Sequence, residues 1–124
     1  YGIDNNPCNI EMVERNCILN KVENYKYLLG NVEDIVDKVL ISGRKYSIVV
    51  NPPRRGLYSN FIEYINSKRD YVKDLVYVSC NMESLKRDLD ELGENWEVEK
   101  VVPLDQFPNT NHCEIIVKMK NKMF

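Results

Sequence analysis

The segment Tyr46–Gly56 reads YSIVVNPPRRG and contains the clearest structural signal in the chain. Its first five residues are a short, nearly continuous apolar run, which predicts a β-strand buried on both faces. Two prolines then end the strand, because proline holds φ near about −65° and has no backbone N–H to donate. Asn51, directly before them, is therefore expected to project from the carboxyl end of the strand.

Predicted strands and helices alternate on both sides of this segment. The strands are the segment ending at Asp4, Tyr25–Leu29, Tyr46–Val50, Leu75–Val78, Trp96–Val102 and Glu114–Met119. Helical spacing of apolar residues follows Pro7, with Asn6 as the expected N-cap, and recurs from Val32. Ser59 and Asn81 are the expected caps of a third and a fourth helix.

This alternation predicts an α/β fold built on a parallel sheet. The last two strands follow each other without a helix, so we expect them to form a hairpin at the edge of the sheet. The sequence has no internal repeat and no linker, and we interpret residues 1–124 as one domain.

The composition is that of a soluble globular domain, with 44% apolar and 29% charged residues. No apolar run approaches the roughly 18 residues of a membrane span, so we expect a cytoplasmic protein without a membrane partner. The net charge of −2 gives no general attraction to nucleic acid. Contact with RNA would have to come from local clusters such as Arg54-Arg55.

Four cysteines are present, at positions 8, 17, 80 and 113, and none of them forms a C-x-x-C pair. With a single histidine in the chain, this spacing predicts neither a metal site nor a disulfide framework. Cys8 and Cys17 fall in the first predicted helix and are interpreted as small buried apolar side chains.

Special or polar residues follow the predicted strands at Asp4, Asn31, Asn51 and Cys80. Functional residues of open α/β sheets gather at the carboxyl ends of strands. Asp4 suits a nucleoside ribose, since a carboxylate accepts hydrogen bonds from both vicinal hydroxyls; the alternative is a turn-forming or capping aspartate. Arg54-Arg55 suits phosphates, although solvated arginines on a rigid connection would give the same pattern.

Cys80 stands between a strand end and a helix start, where the partial positive charge of the helix favours a thiolate nucleophile. A buried structural cysteine is the alternative. Glu114 begins an otherwise apolar strand, and a carboxylate in that setting can act as a base. His112 is either an orienting residue or a structural one, and Cys113 is expected to be structural and to point away from Glu114.

These segments together resemble the RNA 5-methyluridine (uracil-C5) methyltransferase family. The resemblance rests on Gly2–Asp4, Asn51–Leu57, Val78–Asn81 with Leu85 and Arg87–Leu89, and Asp105–Glu114, in family order. It implies the C-terminal catalytic domain, with the Rossmann-like fold of class I S-adenosylmethionine-dependent methyltransferases. The implied cofactor is S-adenosyl-L-methionine, and the implied substrate is a uridine of ribosomal or transfer RNA.

The resemblance also implies roles for individual residues. Cys80 would add to C6 of uracil, and Glu114 would remove the proton from C5. Asp4 would bind the cofactor ribose, and Asn51 would lie near the cofactor and the target base. Many members have aspartate before Pro-Pro, and asparagine here resembles the branch that methylates ribosomal RNA. Gln106 and Asn109 also depart from the commoner family residues.

The family's first strand and glycine-rich cofactor loop are expected immediately before Tyr1, in the sheet between the strands ending at Asp4 and Asn51. By the resemblance, residues 1–124 are therefore a partial domain, truncated at its N-terminus. We expect the isolated chain to bind the cofactor weakly or not at all and to be inactive. Self-association through the incomplete sheet is a further expectation.

Two other functions remain open. An amino-methyltransferase would use Asn51-Pro52-Pro53 to hold an exocyclic nitrogen and would need no cysteine. A non-catalytic domain for RNA binding or assembly would agree with the missing cofactor loop, but the presence of both Cys80 and Glu114 argues against it.

Overall fold

The computed structural model describes residues 1–41 and 43–124. The chain forms two compact units, Tyr1–Ile41 and Ser42–Phe124. All the predicted elements are present. The elements are β1 (Gly2–Asp4), α1 (Pro7–Leu19), β2 (Tyr27–Leu29), α2 (Val32–Val39), β3 (Tyr46–Val50), α3 (Ser59–Ser67), β4 (Val72–Ser79), α4 (Met82–Leu92), a 3-10 turn (Gly93–Asn95), β5 (Trp96–Leu104) and β6 (Glu114–Asn121). The predicted alternation of strands and helices is confirmed.

In the first unit, β1 and β2 form a two-stranded parallel sheet. Helix α1 begins as predicted, because the Asn6 side chain accepts a hydrogen bond from the Cys8 N–H at 3.0 Å and Pro7 is the first helical residue. The prediction that Cys8 is buried is wrong: it is exposed, and Cys17 is half-buried. The buried side chains of this unit are Val36, Val39 and Leu40.

The second unit contains a four-stranded sheet in the order β3-β4-β6-β5. β3 and β4 are parallel, whereas β6 is antiparallel to both of its neighbours. The predicted hairpin of the last two strands is therefore confirmed, with β5 at the edge. The sheet is mixed because the hairpin inserts its second strand next to β4.

The prediction that β3 is buried on both faces is wrong. Its burial alternates, with Ile48 half-buried and Val49 70% exposed. Within the described residues β3 pairs with β4 alone. An apolar run predicts a strand, but the cover on each face depends on what packs there.

The core of the second unit lies around β4, β6 and the helices α3 and α4. Its fully buried apolar side chains include Ile62, Ile65, Val72, Leu75, Tyr77, Leu92, Val117 and Met119. Asn81 caps α4 as predicted, accepting from the Ser84 N–H at 3.0 Å. Ser59 does not cap α3; Tyr58 occupies the N-cap position without a side-chain bond, and Ser59 is the first helical residue. None of the described helices is long and apolar enough to cross a membrane.

Candidate functional site

The carboxyl ends of β3 and β4 lie at the same edge of the sheet, since the two strands are parallel and Val50 pairs with Tyr77. Asn51 follows β3 and is exposed, and Cys80 follows β4 and is half-buried. The prediction that Asn51 and Cys80 follow the carboxyl ends of neighbouring strands is confirmed.

A pocket of ≈ 190 Å³ opens at this edge, lined by Arg54, Cys80, Phe107, His112 and Cys113. Arg54 and Cys80, both candidate site residues from the sequence, therefore line the same pocket. The remaining lining residues come from the loop before β6. An electrophilic ring that entered the pocket would meet two thiols, a guanidinium and two aromatic rings.

The turn that holds Cys80 is fixed by its two neighbours. The Ser79 hydroxyl donates to the Asn81 carbonyl at 2.8 Å, and the Asn81 N–H donates to the Ser79 oxygen at 3.1 Å. Cys80 thus immediately precedes the N-cap of α4, near the positive end of the helix dipole.

Glu114 is the half-buried first residue of β6. The antiparallel ladder between β4 and β6 ends where Ser79 pairs with Ile115, so Cys80 and Glu114 are the next residues in that register. Glu114 itself is not among the described residues that line the pocket.

Phe107 is a site residue that the sequence interpretation missed. Its ring is 46% exposed and meets the His112 ring edge to face, with centroids 6.4 Å apart and planes at 82°. The Phe107 carbonyl accepts from the Thr110 hydroxyl at 2.7 Å, and the loop turns at Asn109, where φ is 65°. An aromatic residue within an otherwise polar loop was the available signal.

Cys113, which was expected to be structural and to point away from Glu114, lines the pocket, whereas Glu114 is not among its described lining residues. Its sulfur lies 3.4 Å from the Glu114 carbonyl and 3.5 Å from the Leu104 carbonyl, and its single thiol proton can be donated to either oxygen. Arg55, expected to act together with Arg54, instead stacks its guanidinium on the Tyr58 ring, 3.9 Å from the centroid. Arg55 is not among the described residues that line this pocket.

Residues 51–58 join β3 to α3, and we call them the arginine loop. Gly56 explains why this loop can approach α4 closely. Its φ is +83°, and an added Cβ would collide with the side chains of Asp88 and Arg87. A Gly56→Ala substitution is therefore expected to lower the free energy of unfolding by about 2–5 kcal/mol, from left-handed strain plus overpacking. Gly43 has a φ of +81°, but a Cβ added there would meet no atom within 4 Å, so Gly43→Ala should cost only about 1–2 kcal/mol. Denaturant unfolding of the full-length protein would measure both; equal losses would contradict the collision.

Asp4, in the first unit, is held by its own turn. One carboxylate oxygen accepts from the Asn6 N–H at 2.8 Å and the other from the Asn9 side chain at 2.9 Å. The hydrogen bond from Asn6 and then that from Asn9 lower the pKa of Asp4 below its ordinary value, because both bonds stabilise the charged carboxylate. The turn-forming interpretation is therefore confirmed, yet each oxygen keeps a further lone pair for a ligand hydroxyl.

Comparison with known proteins points to one family. Residues 7–122 match the family model described as tRNA (Uracil-5-)-methyltransferase. An uncharacterized RNA methyltransferase of Listeria monocytogenes serotype 4b (strain F2365) is 37% identical over 122 residues, which are 98% of this chain and 26% of that protein. The chain spans a quarter to a third of the length of the curated relatives it matches.

Solved structures agree with this match. The crystal structure of Pyrococcus abyssi tRNA (uracil-54, C5)-methyltransferase in complex with S-adenosyl-L-homocysteine has a TM-score of 0.78 and 31% identity, covering 95% of this chain and 28% of that one. An rRNA methylase of Streptococcus thermophilus has a TM-score of 0.68 at 14% identity, covering 96% of this chain and 70% of that one, and so shows the fold alone. The expected Rossmann-like α/β fold of class I methyltransferases is confirmed.

Proposed function

Because the chain belongs to the tRNA (uracil-5-)-methyltransferase family, we propose that the full-length protein methylates C5 of a uridine in RNA, with S-adenosyl-L-methionine as the cofactor. One observation supports this most: Cys80 and Arg54 line one pocket, and Cys80 and Glu114 each lie one residue beyond the last pair of the β4–β6 ladder. A nucleophile and a separate base at one edge of the sheet are what this reaction needs.

The chemistry requires both groups because C5 of uracil is too weak a nucleophile to attack a sulfonium methyl directly. Addition of the Cys80 thiolate to C6 gives an enolate with electron density on C5. When bound, the cofactor supplies the methyl group that C5 receives. Glu114 then removes the C5 proton, and elimination breaks the bond between sulfur and C6, which releases Cys80.

The pocket also offers contacts to the rest of the nucleotide. A base in a stack cannot reach Cys80, so the uridine would leave its stack to react. The exposed Phe107 ring provides a surface on which a pyrimidine can stack. The Arg54 guanidinium offers charge to a nearby phosphate, which fits a chain whose net charge of −2 provides no general attraction to RNA.

Asp4 is the residue of the first unit that best fits the cofactor. Its carboxylate is ionised, partly exposed and located at the end of β1, so it can accept hydrogen bonds from ribose hydroxyls. Asn51, exposed directly after β3, is the residue of the second unit that we assign to the neighbourhood of the cofactor and target base. Both assignments follow the family resemblance.

An Asp4→Asn variant of the full-length protein should bind S-adenosyl-L-homocysteine about 10- to 100-fold more weakly, since a hydrogen bond to a charged acceptor contributes about 1.5–3 kcal/mol. Isothermal titration calorimetry would measure this. Asp37→Asn, an exposed aspartate of α2, is the matched control and should bind as the unaltered protein does. An unchanged dissociation constant for Asp4→Asn would remove Asp4 from the cofactor site.

The reaction itself can be tested with ribosomal and transfer RNA from cells that lack the gene. Incubation with the full-length protein and labelled S-adenosyl-L-methionine should yield 5-methyluridine, identified by mass spectrometry of the digested nucleosides. A label on an exocyclic nitrogen would support the amino-methyltransferase instead. No label in either RNA, from a protein that binds the cofactor, would favour the non-catalytic role.

A further inference from the structure

Asp88 is a charged residue that the proposed reaction does not use, and it is fully buried, with 0% of its surface exposed. One carboxylate oxygen accepts from the Leu57 N–H at 2.7 Å and from the Tyr77 hydroxyl at 2.6 Å. The other accepts from the Arg87 Nε at 3.0 Å and the Arg87 Nη2 at 2.6 Å. A buried carboxylate is unfavourable unless it is paired and hydrogen-bonded, and these four bonds satisfy it.

The donors connect the arginine loop to α4. Leu57 belongs to the loop, Tyr77 to β4 and Arg87 to α4 itself. The Arg87 Nη2 also donates to the Arg55 carbonyl at 2.6 Å. The pair Arg87–Asp88 thus holds the loop at two points, one on each side of Gly56. We call this pair the loop clamp.

Burial, followed by the hydrogen bond to Asp88, raises the pKa of Tyr77, so its hydroxyl stays protonated and donates at any ordinary pH. The hydrogen bond from Tyr77 to Asp88 is therefore not lost through ionisation of the tyrosine. The loop that it holds begins directly after β3 and includes Arg54, a wall of the pocket.

We infer that Arg87 and Asp88 are positioning residues that hold the loop of Arg54 against the helix beginning beside Cys80. Arg54 and Cys80 belong to different segments, and the clamp joins those two segments one to three residues beyond Arg54. Without the loop clamp, the Arg54 side chain would be free to move relative to the Cys80 thiol. The inference rests on the proposed function, since it concerns how fast Cys80 reacts with a bound uridine.

Arg87 is the better residue to alter, because its side chain is 55% exposed whereas Asp88 is buried. Arg87→Ala removes the bond to the Arg55 carbonyl but leaves the Asp88 charge without its cation. Arg87→Lys keeps the positive charge. A single ammonium group cannot, however, reproduce the planar guanidinium, which donates to both the Asp88 carboxylate and the Arg55 carbonyl. Lys86→Ala, an exposed neighbour on the same helix, is the matched control.

Two readouts in the full-length protein test the inference. Amide hydrogen exchange at Leu57 should be about 10-fold faster or more in Arg87→Ala, because its bond to Asp88 opens more often. The rate of covalent capture of RNA containing 5-fluorouridine should fall about 10- to 100-fold in Arg87→Ala, since misplacement by about 1 Å has an effect of that size. Arg87→Lys should recover part of the capture rate, with a melting temperature within about 3 °C of the unaltered protein. Lys86→Ala should change neither readout.

Wild-type capture rates in both Arg87 variants would overturn the inference, as would unchanged exchange at Leu57. Full recovery of the capture rate in Arg87→Lys would also count against it, because the positive charge alone would then suffice and the guanidinium geometry would have no positioning role. If the unaltered protein captures no RNA that it binds, the proposed function fails. Exchange at Leu57 then still decides whether the clamp holds the loop.

Discussion

A Cys80→Ala variant of the full-length protein is expected to methylate RNA at least about 10³-fold more slowly than the unaltered protein, the scale seen when a catalytic nucleophile is removed. The physical reason is that C5 stays a poor nucleophile unless sulfur first adds to C6. Formation of 5-methyluridine in a single turnover, with enzyme in excess over RNA, would measure the chemical step without product release.

Cys113→Ala is the matched control for this substitution, because Cys113 lines the same pocket and is also a free thiol. We expect its rate to stay within a few-fold of the unaltered protein. Binding of S-adenosyl-L-homocysteine by both variants would show that the fold is retained. A Cys80→Ala protein that keeps a tenth or more of the activity would rule out the thiol mechanism and favour transfer to an exocyclic nitrogen.

A Glu114→Gln variant should behave differently from Cys80→Ala. Sulfur can still add and the methyl group can still arrive, but no carboxylate removes the C5 proton, so the covalent complex with RNA should accumulate. Release of 5-methyluridine should fall about 10²- to 10⁴-fold, the usual contribution of general base catalysis. Denaturing gel electrophoresis of protein mixed with natural RNA and cofactor would reveal the trapped complex.

Asp105→Asn is the control for Glu114→Gln, since it neutralises an exposed carboxylate of the neighbouring loop. It should release product at nearly the unaltered rate and trap no complex. If Glu114→Gln neither traps RNA nor slows release, another group removes the proton, and Glu114 has no catalytic role.

Short-range sequence patterns, such as helix caps and the spacing of apolar residues, predicted the helices and strands of this fold well. Asn6 and Asn81 cap their helices as expected, because a cap needs only a side chain and an N–H two or three residues away. Ser59 has the right chemistry for a cap but lies one position inside its helix. Such one-residue errors arise because a helix that starts one position earlier or later fits the same local sequence pattern.

Burial was harder to predict than secondary structure. The apolar sequence of β3 suggested cover on both faces, yet Val49 is 70% exposed. The exposure of a strand is decided by partners distant in sequence, and an apolar run does not identify them. The same reason explains Cys8, which lies on an exposed part of α1.

The candidate site was predictable where it follows sheet topology. Cys80 and Arg54 meet because the carboxyl ends of parallel strands share an edge. Phe107 and Cys113 were missed because their loop is shaped by its own turn at Asn109 and by contacts such as that with Leu104. Such loop contacts give no periodic signal in the sequence.

Asp88 illustrates a third limit of sequence interpretation. Its motif was recognisable, but its partners Leu57 and Tyr77 lie 31 and 11 residues away. Only the folded arrangement reveals that one carboxylate joins a loop, a strand and a helix. A buried charge with donors from several elements cannot be deduced from spacing alone.

The covalent complex with RNA containing 5-fluorouridine tests the central claim most directly, because fluorine at C5 cannot be removed as a proton and the adduct persists. The full-length protein would be mixed with such RNA and the cofactor, digested, and the nucleotide-bearing peptide sequenced by mass spectrometry. We predict a single modified residue, Cys80, joined to C6 of a ring already methylated at C5. An adduct on another residue, or none with an RNA that the protein methylates, would contradict the account.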